Sequence, residues 1–126
     1  MLGGNTMASA SDIIFTDKYS TEEICTGSYW IDGKLIYRKT LDIGYITGAS
    51  PKIVPHNIPN IDRIIKIEGF ARRDSGYTMM LPHVSTTEVQ GINIGGSSTA
   101  INIYHNYPDI TLYYAYVTIS YTKTTD

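Results

Sequence analysis

Strict alternation of apolar and polar positions dominates the chain from Tyr29 onward. In I-T-L-Y-Y-A-Y-V-T-I-S-Y-T-K (110–123), Tyr113, Ala115, Val117, Ile119 and Tyr121 form one face that is apolar along its whole length. The opposite face begins apolar with Leu112, Tyr114 and Tyr116, then turns polar at Thr118 and Ser120. A period of two sends successive side chains to opposite sides of a strand, so this is the longest strand expected. Within 34–43, Leu35, Tyr37, Leu41 and Ile43 share one parity, and Lys34, Arg38 and Asp42 mark the other. Residues 61–73 place Ile65, Ile67, Gly69 and Ala71 on one face, with Ile64, Lys66, Glu68, Phe70 and Arg72 on the other.

Turn residues punctuate these runs. Asp32-Gly33 is a two-residue hairpin signal that would pair Ile31 with Lys34 and set Trp30 opposite Leu35, a packed position rather than a displayed one. G-A-S-P (48–51) and D-S-G (74–76) are turns, and G-G-S-S (95–98) joins strands over 87–94 and 99–105. The two prolines of 53–60 limit that segment to an edge strand or loop. Residues 77–82 make a further short strand. About eight strands with no helical period predict an all-β antiparallel sandwich of jelly-roll type, a closed barrel being the alternative. Residues 1–18 read as a flexible N-terminal arm and 19–126 as one domain. Ser20-Thr21-Glu22-Glu23 suits either a capped helical turn or a lead-in to a strand.

Composition agrees with the pattern. The chain has 19 isoleucines against five leucines, with 15 threonines and 11 tyrosines, a bias toward β-branched and aromatic side chains that fit a pleated surface. Charged residues are 17% and the net charge is −2, so no basic stripe is available to displace counterions from nucleic acid. No apolar run is long enough for a membrane span, and the start M-L-G-G-N-T-M-A-S-A-S is unlike a secretion signal. The single Cys25 has no internal disulfide partner and reads as a buried or half-buried strand residue.

Candidate chemistry is sparse. The last strand carries Leu112, Tyr114 and Tyr116 as an aromatic patch that needs burial by another segment, a ligand or another subunit, which makes these three the candidate subunit interface. Tyr104, His105, Tyr107 and Asp109 set aromatic faces among short polar groups, a combination that suits a glycan and equally suits a tyrosine-rich turn. His56, His83 and His105 fall in or beside turns, are expected at the surface, and show no metal-ligand spacing. No hydrolase, metalloprotease or phosphate-loop motif is present, so no catalytic residue, metal or cofactor is expected. Paired carboxylates drawn from Asp42, Asp62, Glu68 and Glu88 would require the fold to bring them together.

Three segments together carry a resemblance. Y-S-T-E-E-I-x-x-G-x-x-W-I-D-G-K-L-I-Y-R-K (19–39), H-N-I-P-N-I-D-R-I-I (56–65) and A-Y-V-T-I-S-Y-T-K-T (115–124) resemble the C-terminal domain of bacteriophage and prophage tail-fibre and related virion structural proteins. The resemblance implies a non-enzymatic β-sandwich, a homotrimer at a fibre tip, and a role in attachment to the host surface. Its implied partners are other copies of itself, other virion proteins, and a host glycan or cell-wall polymer. Its implied location is the virion, after synthesis in the bacterial cytoplasm. Family members usually end much longer chains, whereas this one begins with a short arm, which leaves a separate fibre tip, a capsid decoration and a fragment of a longer fibre all open. A monomeric bacterial carbohydrate-binding module and a capsid fibre or decoration protein that only assembles are the alternatives.

Overall fold

A computed structural model describes residues 18–84, 91–107 and 109–125; the expected arm over 1–17 and strand positions 87–90 lie outside the described residues. Among the described residues nine strands form in chain order: β1 (Ile24–Tyr29), β2 (Leu35–Tyr45), β3 (Lys52–Pro55), β4 (Ile61–Arg73), β5 (Thr78–Leu81), β6 (His83–Val84), β7 (Gly91–Gly96), β8 (Ala100–His105) and β9 (Tyr113–Lys123). They make two antiparallel sheets, one ordered β1-β2-β9-β4-β5 and the other β3-β8-β7-β6. The all-β sandwich expected from the alternation is therefore present. The pairings β2–β9, β9–β4 and β3–β8 fold early strands onto late ones in the jelly-roll manner, while β4–β5 and β7–β8 are sequential hairpin neighbours. Proline-bearing β3 sits at a sheet edge, where a missing N–H costs no ladder bond.

The core lies between the sheets and is organised on β9. Tyr113, Ala115, Val117, Ile119 and Tyr121 are all buried and cluster with Leu41, Ile43 and Ile46 and with Ile92, Ile101 and Ile103 of the second sheet. Gly96 makes this packing tight. A Cβ there would come within 3.0 Å of the Ile64 side chain and 3.2 Å of Ile67 and Ile101.

Four local expectations are corrected. The Asp32-Gly33 hairpin has three loop residues, not two: Gly33 N–H donates to the Trp30 carbonyl and Trp30 N–H to the Lys34 carbonyl, with Gly33 at φ 86°. A type I turn followed by a left-handed glycine accommodates Asp-Gly as readily as a two-residue loop does. Tyr29, not Trp30, consequently pairs with Leu35, and Trp30 is only half buried. In β4 an irregularity between Ile64 and Lys66 shifts the parity, which turns Ile64 toward Gly96 and puts Ile65 beside Lys66, Glu68 and Ser120 on the outer face. Gly95 and Gly96 belong to β7, and the β7–β8 turn is closed by Ser97, whose N–H donates to the Ala100 carbonyl. Residues 110–112 form a 3-10 turn rather than the start of the last strand.

Two smaller expectations also change. Ser20–Glu23 form no helix, although the Ser20 hydroxyl accepts the Glu22 N–H at 3.0 Å as a cap would. Cys25 is exposed, because β1 is an edge strand whose only buried residue is Thr26.

His56, expected at the surface, is 1% exposed. Its Nε2 lies 3.0 Å from the Ser97 carbonyl, which can only accept, so Nε2 carries the proton and Nδ1 accepts the Ile58 N–H at 3.2 Å. The ring thereby ties the β3–β4 connection to the β7–β8 turn. His56→Ala removes both bonds and opens a cavity, and should cost about 2–4 kcal/mol of unfolding free energy by urea titration.

A polar clasp holds the outer end of the first sheet. The Tyr121 hydroxyl donates to Glu23 Oε2 at 2.6 Å, and Lys123 Nζ lies 2.9 Å from Glu23 Oε1. Lys34 Nζ and the Thr122 hydroxyl both donate to Asp62 Oδ2, at 3.2 and 3.0 Å. Partial burial pushes the Glu23 carboxyl up, but the Tyr121 hydroxyl and the Lys123 ammonium outweigh it and leave the group below its ordinary 4.5. A carboxyl lowered by folding stabilises fully above its unfolded value, and that contribution fades as pH falls through the folded one. Glu23→Gln should therefore melt below wild type at pH 7, and the gap should close progressively as pH drops below 4.5 in thermal scans.

Candidate functional site

The outer face of the five-stranded sheet carries an aromatic patch assembled from four strands. One cross-strand row runs Met80–Phe70–Tyr116–Asp42 over β5, β4, β9 and β2, and the next runs Thr78–Arg72–Tyr114–Tyr45. At about 4.8 Å between strands, each row is about 15 Å long. The rings form a continuous chain: Tyr45 meets Tyr114 edge-on at 5.1 Å, Tyr114 lies 5.5 Å from Tyr116, and Tyr116 lies 5.7 Å from Phe70. Met80 is 68% exposed, Tyr45 44% and Phe70 36%, so this surface meets solvent in the single chain.

Polar groups border the patch. Asp42 accepts the Tyr114 hydroxyl at 2.6 Å, and this bond is the main cause that raises the Tyr114 hydroxyl to about 12. Tyr45 donates to Asp74 at 3.4 Å, and Thr40 and Thr118 share a hydrogen bond of 2.8 Å where the face turns polar. Tyr19, under the Arg38 guanidinium at 4.7 Å, stands at the margin of a hollow of about 410 Å³ floored by Gly69 and walled by Phe70, Met80 and Tyr116.

Of the interface residues read from the sequence, Tyr114 and Tyr116 stand together on this face. Leu112, 47% exposed, leaves the strand with the 3-10 turn and joins the border through a hollow shared with Tyr45, Arg73 and Asp74. Phe70, Met80 and Tyr45 complete the patch and escaped the sequence reading. Phe70 was visible on the outer parity of β4, but nothing in the linear pattern showed that β4 flanks β9.

The candidate glycan residues divide differently. Tyr104 (46% exposed) and His105 line a groove of about 580 Å³ across β6, β7 and β8 together with His83, Val84 and Asn93. Tyr107 turns inward, packs on the core, and meets His83 edge-on at 5.2 Å and Tyr113 at 6.2 Å. Asp109 opens the 3-10 turn with φ 55° and is absent from the groove. Among the described carboxylates, Asp42, Asp62 and Glu68 engage different partners, Tyr114, Lys34 and Lys66. No cluster of three or more potential metal-ligating His, Cys, Asp or Glu side chains occurs among the described residues.

Fold and surfaces together define the class: an antiparallel β-sandwich with an aromatic patch on the outer face of one sheet and a groove of mixed apolar and polar lining on the other. No protein-family model matches the chain, and no curated protein and no solved structure is significantly similar to it.

Proposed function

We propose that this protein is a non-enzymatic virion structural module of the phage tail-fibre kind, a homotrimer that presents its free surfaces to the host. The observation that carries the reading is the solvent-facing row Met80–Phe70–Tyr116 with Tyr114 and Tyr45 beside it. Contiguous exposed aromatic surface costs free energy in water and marks an interaction face, and Tyr, Phe and Met are enriched at such faces. Acidic Asp42, Asp74 and Glu68 and basic Lys66, Arg72 and Arg73 surround it, giving the border charges of both signs to set against those of another copy. The W-I-D-G-K-L-I-Y-R-K resemblance supplies the threefold stoichiometry and the attachment role.

Light scattering after size exclusion at micromolar concentration tests assembly. The expected mass is about three times the 14.0 kDa of one chain. A strict monomer would sink the trimer and favour a lone carbohydrate-binding module. A trimer that neither adsorbs to host envelopes nor competes with whole particles for them would leave an assembly-only protein.

A further inference from the structure

We propose that the groove across β6, β7 and β8 beside Tyr104 binds an uncharged N-acetylated pyranose, a site that rests on the attachment reading and gives it a ligand class. The lining supplies an aromatic face, an amide and an apolar wall. Tyr104 and Asn93 are direct cross-strand partners, which sets an exposed ring beside an amide. Asn93 turns its Oδ1 back to accept the Ile94 N–H at 2.9 Å, which leaves its NH2 as the donor on this side chain. His105, the cross-strand partner of buried Ile92, faces the other side of the sheet, where its Nε2 lies 3.3 Å from the Ala49 carbonyl. An amide donor beside an aromatic face matches a ring hydroxyl and the C–H face next to it.

The scaffold that holds these groups is fixed by bonds from backbone N–H groups to side-chain and backbone oxygens. His105 N–H donates to the Ser50 hydroxyl at 2.9 Å, and Asn106 and Gly91 exchange bonds of 2.7 and 3.1 Å. Among the described lining residues there is no Asp, Glu, Lys or Arg, so none of those residues carries a fixed charge to offset the desolvation of a charged ligand. Val84, 72% exposed, and Pro82 add an apolar wall that suits the methyl of an acetamido group.

The test uses the full chain, with N-acetylglucosamine, glucose and glucuronate as probes in saturation-transfer and chemical-shift NMR at pH 7.5. Affinity should fall in that order, with the strongest transfer to the acetamido methyl. Tyr104→Ala should weaken N-acetylglucosamine about tenfold, and Tyr104→Phe should retain it. Val84→Ser should abolish the preference over glucose. Binding of glucuronate as tight as that of N-acetylglucosamine, unaltered binding by Tyr104→Ala, or no binding by any probe would overturn the inference. Light scattering on the same samples keeps the two readings apart. A trimer that binds no sugar removes only the groove's role, whereas a monomer that binds removes the assembly reading and leaves the groove standing.

Discussion

Met80→Glu is expected to convert the proposed trimer into a folded monomer. Met80 is 68% exposed in the single chain and sits on edge strand β5, so a glutamate there meets water and leaves the monomer's melting temperature nearly unchanged. In the assembly the same carboxylate would be buried against Phe70 or its counterparts, and an unpaired buried charge costs about 3–5 kcal/mol. Each subunit contributes one, so micromolar association should vanish in sedimentation velocity while circular dichroism stays at the wild-type spectrum. Phe70→Ser is the second probe: it lies in the same row and should weaken the trimer without introducing charge. A trimer that survives both changes would place the subunit contact on another surface.

The largest stability loss is expected at Tyr121. It is fully buried near the end of β9, the central strand of the first sheet, paired with Tyr37 and Ile64, and its ring stacks on Tyr37 at 6.1 Å. Burial, reinforced by the Glu23 carboxylate, pushes its hydroxyl far above the ordinary tyrosine value, so the group stays protonated and donates throughout the accessible pH range. Tyr121→Ala removes the ring from a packed site and should cost about 3–5 kcal/mol. Tyr121→Phe keeps the packing and leaves Glu23 with Lys123 alone, for a loss of about 1–2 kcal/mol. Urea unfolding in the monomeric Met80→Glu background measures both without a contribution from assembly. Equal losses for Ala and Phe would mean that the hydroxyl bond, not the ring, carries the effect.

The strand faces were legible where apolar positions repeat over several residues. All five inward residues of β9 are buried, as are Leu41 and Ile43 of β2, because a long alternating run admits only one face toward the core. Misreadings cluster at irregular backbone. Asp-Gly serves both two- and three-residue loops, so the Trp30 register was one residue off. Adjacent Ile64 and Ile65 are chemically identical, and only the β4 irregularity decides which faces inward. His56 gave no sign of burial, since the carbonyl that receives its proton belongs to Ser97, 41 residues away.

The surface was legible only in part for a related reason. Tyr114 and Tyr116 are visible in their own strand, but Phe70 and Met80 join them through pairings between β9 and β4 and between β4 and β5. Alternation assigns faces and leaves neighbours open. The same limit separated Tyr104 and His105, which line the groove, from Asp109, which is close in sequence and outside it.

The position of β9 also dictates when the sheet can form during synthesis. β2 and β4 each pair with β9 along most of their length and do not pair with each other. While the ribosome is still making residues 113–123, both strands wait with open edges and exposed isoleucines, and only the β1–β2 and β4–β5 hairpins are available to them. Contacts this distant in sequence form slowly, because the loop must close before it is rewarded. The five-stranded sheet is thus completed in one late event, after neighbouring nascent chains on the same message already expose matching edges to one another. Pairing between copies and folding of each copy then compete for the same strands, and the irregular edge of β1 and the proline-bearing edge of β3 protect the nascent chain as much as the folded one.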